Sequence, residues 1–303
     1  MRALFYVFTG TGNTLRVCDG LLRRWRDLGH EGELVMIRKD SEYPDPSSYD
    51  LVIVGYPVHA FNAPASVLKF LKKLPSGDQK PAYLVRTSGE PLKLNEASGI
   101  TPRRILTKRG YKVRGEFHYV MPYNIIFRHS EEMASRMWQD AEILMDRDVK
   151  TIAAGEGELK RVNAPRRLVA FTLRIEHTAM PCIGKTFKAK KKLCVGCGVC
   201  AKICPQGNIR MKNGKPQFGG HCVGCMACAF ACPKDAVRIS LLNAWRVNGR
   251  YGFDAPPATD GQVCKYCRKA YLKYFRETEA LVAKEKGVEF PETEPRISTH
   301  FIK

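Results

Sequence analysis

The sequence lacks several features that would place it at once in a common class of proteins. It has no hydrophobic signal segment, and its apolar island at residues 168–175 is far too short to span a bilayer. Neither the phosphate-binding motif GxxxxGKS/T nor the dinucleotide motif GxGxxG followed by an acid occurs. Helix-turn-helix and zinc-finger motifs are also missing. We therefore expect a cytoplasmic protein without direct nucleotide chemistry, and we do not expect it to bind nucleic acid.

Acidic residues are scarce relative to basic ones. The 303 residues include 30 Asp and Glu against 50 Lys and Arg, so the formal net charge is +20 at pH 7. Residues 159–192 hold ten of the basic residues and a single acid, Glu176, which gives this segment a net charge of +9. Such a field favours association with acidic proteins, anionic membrane surfaces or nucleic acid.

Eight of the twelve cysteines form two runs with the same spacing, C-x2-C-x2-C-x3-C-P, at a period of 28 residues. The runs begin at Cys194 and Cys222 and end at Pro205 and Pro233. Three cysteines of each run can converge from one loop, and a cubane iron–sulfur cluster needs a fourth ligand from elsewhere. Zinc ribbons instead separate two CxxC pairs by a longer spacer, and disulfide frameworks belong to small secreted chains. The duplicated run predicts two iron–sulfur clusters.

Residues 192–240 resemble bacterial ferredoxins that carry two 4Fe-4S clusters on a small α+β domain. The resemblance implies that the fourth cysteine of each run ligates the cluster of the other run. The first cluster site would consist of Cys194, Cys197, Cys200 and Cys232. The second cluster site would consist of Cys222, Cys225, Cys228 and Cys204. It also implies transport of single electrons.

A phosphate-binding loop is predicted near the start of the chain. Strand-like residues 3–8 lead into the sequence TGTGNT at residues 9–14, and an amphipathic helical stretch follows that ends near Gly29. The glycines allow close backbone approach, the threonine hydroxyls can donate, and the start of a helix offers unpaired amides to an anion. The alternative is an ordinary turn that caps a helix.

The neighbouring segments favour the binding loop. Residues 33–37, 51–55, 81–86 and 111–121 have the pattern of buried strands, and together with residues 3–8 they alternate with helices. This is the pattern of a doubly wound α/β fold with a five-stranded parallel sheet. Ligands of such sheets lie outside the carboxyl ends of the strands. The loops at residues 9–14, 56–64, 87–90 and 122–124 all follow predicted strands, so we expect them to meet there.

Residues 1–150 therefore resemble a flavodoxin, with strand order 2-1-3-4-5, and the resemblance implies bound FMN. The FMN phosphate would contact Thr9, Gly10, Thr11, Gly12, Asn13 and Thr14. The isoalloxazine ring would contact Pro57, Val58, His59, Ala60, Phe61, Thr87, Ser88, Gly89 and Asn124. Phe61 and Tyr123 either bracket the ring or pack in the core, and Asn124 either contacts the ring or caps a turn.

The flavin loops of that family are typically acidic, whereas these loops contain His59, Arg86, Arg128 and His129. Cations beside the flavin would stabilise its anionic reduced form, so we expect a less negative potential for the final reduction step than in ordinary flavodoxins. The alternative is that these side chains face solvent.

The four other cysteines are Cys18, Cys182, Cys264 and Cys267. Cys18 is expected to be buried in the first helix. Cys264 and Cys267 open a predicted helix that runs to about residue 286 and whose aromatic side chains we expect to pack against the ferredoxin domain. A redox dithiol, or a zinc site completed by Cys182, His177 or His221, is the alternative to a pair without a cofactor.

The sequence thus predicts four segments: a flavodoxin-like FMN-binding domain at 1–150, a basic linker at 151–191, a two-cluster ferredoxin domain at 192–240, and a partly helical C-terminal extension at 241–303. The whole resembles the flavodoxin–ferredoxin fusion proteins of anaerobic bacteria. The resemblance implies transfer of single electrons between two 4Fe-4S clusters and FMN and on to a redox partner.

The alternative function is an FMN-dependent reductase of a small organic substrate that the clusters feed. His59 and Tyr123 are then the candidate catalytic proton donors. The flavodoxin loops contain no long insertion that could act as a lid, which favours the electron carrier. The basic charge predicts an acidic redox partner protein first and an anionic membrane surface second.

Overall fold

Five parallel strands form the sheet around which the first half of the chain is built. The computed structural model describes residues 1–39, 41–285 and 287. The strands are β1 (Arg2–Val7), β2 (Glu31–Met36), β3 (Leu51–Pro57), β4 (Pro81–Ser88) and β5 (Lys112–Val120). Their order is β2-β1-β3-β4-β5, so the predicted flavodoxin-like sheet is confirmed, and all ten strand ends lie within two residues of the predicted ones.

Four helices cover the two faces of this sheet. They are α1 (Asn13–Asp27), α2 (Ala65–Lys73), α3 (Ile100–Lys108) and α4 (Glu131–Ala153). Residues of α1 and α4 share one apolar core with the sheet, and residues of α2 and α3 share the other. The central strands β1 and β3 are buried on both faces and have nearly continuous apolar sequences, whereas the edge strands β2 and β5 also contain charged residues. Cys18 of α1 is fully buried in the first core, as expected.

The basic segment after the sheet forms two helices, α5 (Ala164–Leu173) and α6 (Glu176–Lys185). Asn163 caps α5 by accepting a hydrogen bond from the Arg166 amide at 3.3 Å, and Pro165 occupies its first turn. The Ala170 carbonyl of α5 accepts a hydrogen bond from Asn62 Nδ2 at 2.8 Å. The segment is therefore a structured cover that packs on the sheet domain.

The cysteine-rich segment is a small α+β unit. It contains β6 (Lys188–Ala189), α7 (Val199–Ile203), β7 (Ile209–Lys212), β8 (Lys215–Phe218), α8 (Ala227–Phe230) and β9 (Val237–Arg238). β6 pairs with β9 and β7 pairs with β8, both antiparallel. The 28-residue period of the sequence is repeated in the backbone, because β7 and β9 begin 28 residues apart and so do the left-handed residues Gly198 and Met226 that precede α7 and α8.

The C-terminal extension contributes α9 (Arg268–Glu285). Tyr271 and Phe275 of α9 are fully buried against Val120 of β5 and against Met133 and Met137 of α4. The expectation that this helix packs on the ferredoxin domain is wrong, since its aromatic face covers the sheet domain instead. The predicted end of the helix near residue 286, and residues 288–303 of the extension, lie outside the described residues.

None of the helices in the described part of the chain is long and apolar enough to cross a membrane.

Candidate functional site

A cavity of about 460 Å³ opens where β1 and β3 end, at the point where the order of the strands reverses. Its volume lies in the usual range for cofactor sites, about 300–1,000 Å³. The predicted FMN contacts in its wall are Thr9, Gly10, Thr11, Asn13, Thr14, Pro57, Val58, His59, Ala60, Phe61, Thr87, Ser88, Gly89 and Asn124. Gly12 does not line the cavity. Its φ of 106° makes the left-handed turn into α1, which glycine adopts without steric cost.

The loop at residues 9–14 has the properties of an anion site. The Gly12 amide donates to Thr9 Oγ1 at 3.1 Å, which closes the loop. Helix α1 begins at Asn13 with no side-chain cap and no acid in its first turn. The first backbone amides of α1 therefore have no side-chain acceptor, and a phosphate bound at the loop would accept their hydrogen bonds.

Hydrogen bonds join this loop to the loops that follow β4 and β5. Thr14 Oγ1 lies 2.7 Å from Thr87 Oγ1, and Asn13 Nδ2 donates to the Pro122 carbonyl at 2.8 Å. Asn124 Nδ2 donates to Thr11 Oγ1 at 3.1 Å. Asn124 thus lines the cavity and also fixes the phosphate loop, a role that neither sequence alternative described.

The two candidate aromatic residues differ in how firmly they are held. Phe61 lines the cavity, is half-buried and follows Ala60 in a left-handed turn, with φ of 60° and 42°. Tyr123 is fixed: its hydroxyl donates to Glu90 Oε2 and its ring stacks on His129 with centroids 5.2 Å apart. Burial and then the Glu90 carboxylate raise the pKa of Tyr123, so it is a neutral phenol at the cavity wall.

The opposite wall comes from the cysteine-rich unit and its flanks. Gly224 and Met226 of the second run, Glu176 and Met180 of α6, and Trp245 after β9 line the cavity. This wall contacts the phosphate loop at Gly10, where an added Cβ would lie 2.2 Å from the carbonyl oxygen of Cys225. The phosphate loop and the second cysteine run therefore touch through their backbones.

His59 and Glu176 face each other inside this wall. His59 Nδ1 lies 3.8 Å from Glu176 Oε1, and the backbone of Val223 lies beside the His59 ring. Burial lowers the pKa of His59 to about 4 and raises the pKa of Glu176 to about 7. His59 is therefore a neutral imidazole at pH 7 that connects the loop after β3 to the second cysteine run.

The structure brings the fourth cysteine of each run to the other run. A surface pocket is lined by Cys194, Cys197, Cys200 and Cys232. Burial raises the pKa values of Cys222, Cys225 and Cys228, and the nearby Cys204 raises each of them further. Cys228 also interacts with Cys200 of the first group. None of the eight cysteines takes part in a disulfide bond.

Backbone amides point at the sulfur atoms, as anionic clusters require. The Asn208 amide donates to Cys204 Sγ at 3.4 Å and the Ala236 amide to Cys232 Sγ at 3.1 Å, and these two bonds are related by the 28-residue period. Burial raises the pKa values of Cys200, Cys222 and Cys225, and the nearby amides of Ala201, Gly224 and Ala227 offset part of this increase. The donor set fits two 4Fe-4S clusters.

The four expected cations do not act on the cavity. Arg86 is buried with Glu116, with Nη2 and Oε2 3.3 Å apart, and Arg128 is paired with Glu131 at 2.6 Å. Burial lowers the pKa of His129 to about 4, as it does that of His59. Of the four, only His59 lines the cavity and it is neutral, so the expected cationic flavin environment is wrong.

Cys264 and Cys267 lie beside the cavity. Cys264 Sγ donates to the Tyr266 carbonyl at 3.3 Å, and Tyr266 lines the cavity next to Tyr123. Burial and then Cys267 raise the pKa of Cys264. In the part of the chain that the structure describes, no three His, Cys, Asp or Glu side chains lie close enough to share one metal ion.

Known proteins resemble each of the two halves. Residues 193–237 match the family model of the 4Fe-4S dicluster domain. The chain thus joins a sheet domain of flavodoxin-like topology to a segment that matches this model. Among solved structures similar to the flavodoxin-like domain, a Streptococcus pneumoniae TIGR4 flavodoxin is 18% identical, with coverage of 51% of this chain and 99% of that chain and a TM-score of 0.38. Two-electron reduced Megasphaera elsdenii flavodoxin is 21% identical, with coverage of 50% and 99% and a TM-score of 0.36. No curated protein matches the chain.

Sequence reasoning missed the wall that the dicluster domain and its flanks supply to the cavity. Its residues are scattered along the chain, and only Glu176 carried a signal, as the single acid of the basic segment. Helix α6 covers the cavity, so the missing lid insertion in the flavodoxin loops no longer favours the electron carrier.

Proposed function

We propose that this chain is an electron-transfer protein that holds FMN in the cavity and two 4Fe-4S clusters on the eight cysteines. The observation that carries the proposal is the backbone contact between Gly10 of the phosphate loop and Cys225 of the second cysteine run. A wall shared by the two redox sites would bring them close together, which favours electron exchange between them. When bound, FMN would exchange electrons singly or in pairs, whereas each cluster would exchange one at a time.

The proposed residue roles follow from the contacts. The amides at residues 9–14 would bind the phosphate, and the loops at 57–61 and 87–89 would surround the ring. Cys222, Cys225, Cys228 and Cys204 would hold the second cluster against the cavity. The first cluster site would lie at the surface end, since Cys197 is exposed. Electrons would thus pass between FMN, the second cluster, the first cluster and an external partner.

The cofactor content of protein purified without oxygen tests this proposal. We expect about eight iron, about eight sulfide and one FMN per chain. Replacing Cys197 or its repeat counterpart Cys225 with serine should each remove about half of the iron and leave the other half in place. Zinc in place of iron, or a chain that does not bind added FMN, would refute the proposal.

A second function, reduction of a small organic substrate, is favoured by the cover over the cavity and by the neutral phenol of Tyr123 in its wall. Tyr123 would have to exchange its hydrogen bond to Glu90 for one to the substrate before it donates its proton. Steady-state reduction of a water-soluble quinone separates the two functions. A decrease of at least about tenfold in Tyr123→Phe would support the enzyme, whereas an unchanged rate would support the carrier.

A further inference from the structure

Helix α5 presents its apolar stripe to solvent rather than to the protein. Leu168 and Phe171 of α5 and Ile175, two residues after its end, follow the helical spacing i, i+3, i+7, and they are 63%, 64% and 70% exposed. The opposite side contains Ala170, which is buried, and Arg174, which caps the end of the helix. An apolar stripe of such large side chains normally packs into the core. The exposed stripe therefore marks an interaction surface.

Polar contacts hold the helix in this orientation. Arg174 Nε donates to Asn62 Oδ1 at 3.3 Å, and Arg174 Nη2 donates to Thr101 Oγ1 at 3.1 Å. With the Asn62–Ala170 hydrogen bond, these contacts attach the inner side of α5 to the loop after β3 and to α3. Rotation that would bury Leu168 and Phe171 would break them.

The stripe continues to the mouth of the cavity. Ile175 is both exposed and part of the cavity wall. Four other exposed residues, Ile126, Leu173, Trp245 and Tyr266, also line the cavity, and Trp245 is 53% exposed. The mouth is therefore surrounded by large apolar and aromatic side chains that contact water.

The charge around the stripe is of one sign. Arg161 and Arg167 are exposed beside it, and the segment at 159–192 carries ten basic residues. Its single acid, Glu176, lines the cavity. A second copy of this chain would bring like charges together, whereas a surface of anionic lipids offers acyl chains to the stripe and phosphates to the arginines. Trp and Tyr near the mouth are typical of the membrane interface.

We propose that the apolar stripe of α5 and the aromatic rim of the cavity dock this chain on an anionic membrane surface, with the mouth of the cavity at the lipid boundary. The helix lies on the membrane and does not span it. Binding depends on both the stripe and the basic residues. It does not depend on FMN, so this proposal and the cofactor assignment succeed or fail separately.

Flotation of the full-length protein with lipid vesicles tests the proposal. We expect binding to vesicles that contain phosphatidylglycerol, weak binding to pure phosphatidylcholine, and release by high salt. The double variant Leu168→Ser/Phe171→Ser should bind at least about tenfold more weakly, because two exposed apolar side chains are removed without touching the core. Leu28→Ser, at an exposed leucine just after the far end of α1, should bind like the wild type.

Tryptophan fluorescence tests whether the mouth of the cavity lies at the lipid boundary. Trp25 is buried and Trp138 packs against the core, so Trp245 is the exposed one of the three tryptophans. Brominated acyl chains should quench part of the emission, and Trp245→Phe should abolish that quenching. Failure to bind anionic vesicles, equal binding of the double variant, or binding without quenching of Trp245 would each overturn the proposal. A dimer that dissociates in the double variant would assign the stripe to a second copy and would also overturn it.

Discussion

Gly10 is a residue at which the backbones of the two domains lie in contact. A Cβ at this position would lie 2.2 Å from the Cys225 carbonyl oxygen, and a backbone atom cannot move aside as a flexible side chain can. We expect Gly10→Ala to weaken FMN binding by at least about tenfold, because the phosphate loop must shift to relieve the overlap. Quenching of flavin fluorescence on titration of the apoprotein measures this affinity.

Gly261→Ala is the matched control for that substitution. The atom nearest to its added Cβ would be Thr259 Oγ1 at 3.8 Å, which is ordinary contact. Its FMN affinity should equal that of the wild type. Wild-type affinity in Gly10→Ala would show that the phosphate loop and the second cysteine run are not tightly packed.

The buried side chain of His129 makes the free energy of unfolding depend on pH. Its Nδ1 accepts the Tyr123 amide at 3.2 Å, and burial lowers its pKa to about 4, below the unfolded value of about 6.5. The folded state therefore binds fewer protons, so stability is complete above about pH 6.5 and is lost as the pH falls toward 4. For one such histidine the loss at about pH 5.5 is roughly 1 kcal/mol.

Burial also lowers the pKa of His59 to about 4, that of His118 to about 3 and that of His177, and it raises the pKa of Asp140 and of Glu176 to about 7. The two carboxyls bind protons in the folded state, so they oppose the histidines between about pH 7.5 and pH 5.5, and the contribution of His129 is the difference between the wild type and His129→Asn. On acidification over this range, the Tm of His129→Asn measured by circular dichroism should rise relative to that of the wild type, by the equivalent of roughly 1 kcal/mol. An identical change of Tm with pH in the two proteins would contradict the assignment.

At the residue scale, the sequence predicts what local chemistry dictates. The cysteine spacing is dictated by cluster geometry, and the TGTGNT loop by the close approach of a phosphate to backbone. The sequence did not predict which partner each charged side chain has. Whether Arg86 faces the flavin or Glu116 depends on β5, which lies about 30 positions further along the chain. The same holds for Tyr123, whose partner Glu90 follows a different strand.

Helix α6 connects the two domains at the scale of an element. An added Cβ at Gly184 would lie 2.1 Å from the Cβ of Cys222, so the helix packs directly on the second cysteine run. Gly184→Ala should push α6 away from this run and expose the second cluster. We expect about half of the iron to be lost rapidly to a chelator while the first cluster is retained.

Thr178→Ala, at an exposed position of the same helix, provides the control and should release iron at the wild-type rate. Loss of both clusters together, or of neither, would contradict the assignment of α6 to the second site alone.

The central strands of the sheet were predictable because a strand buried on both faces has a nearly continuous apolar sequence. The cover was not, since α5 and α6 carry little periodic apolar signal toward the core and the outward stripe of α5 reverses the usual pattern. The placement of α9 failed for a related reason. Tyr271 and Phe275 indicate a buried face but not which surface covers it.

At the scale of the whole molecule, the order of the redox sites would determine the path of electrons through the two domains. The second cysteine run borders the cavity, and the first carries the exposed Cys197. The 28-residue repeat makes the two sites equal in sequence, so only the packing of the domains distinguishes them. This packing depends on contacts between residues more than 200 positions apart, such as Gly10 and Cys225, which no local pattern reveals.

The most direct test of this order is to photoreduce bound FMN and follow the bleaching of cluster absorbance with time, in the wild type and in the matched variants Cys197→Ser and Cys225→Ser. Iron analysis first establishes that each variant keeps one cluster. We expect Cys197→Ser to bleach its remaining second cluster at the wild-type rate, and Cys225→Ser to bleach its remaining first cluster at least about tenfold more slowly. Equal rates in the two variants, or faster bleaching in Cys225→Ser, would contradict the proposed path.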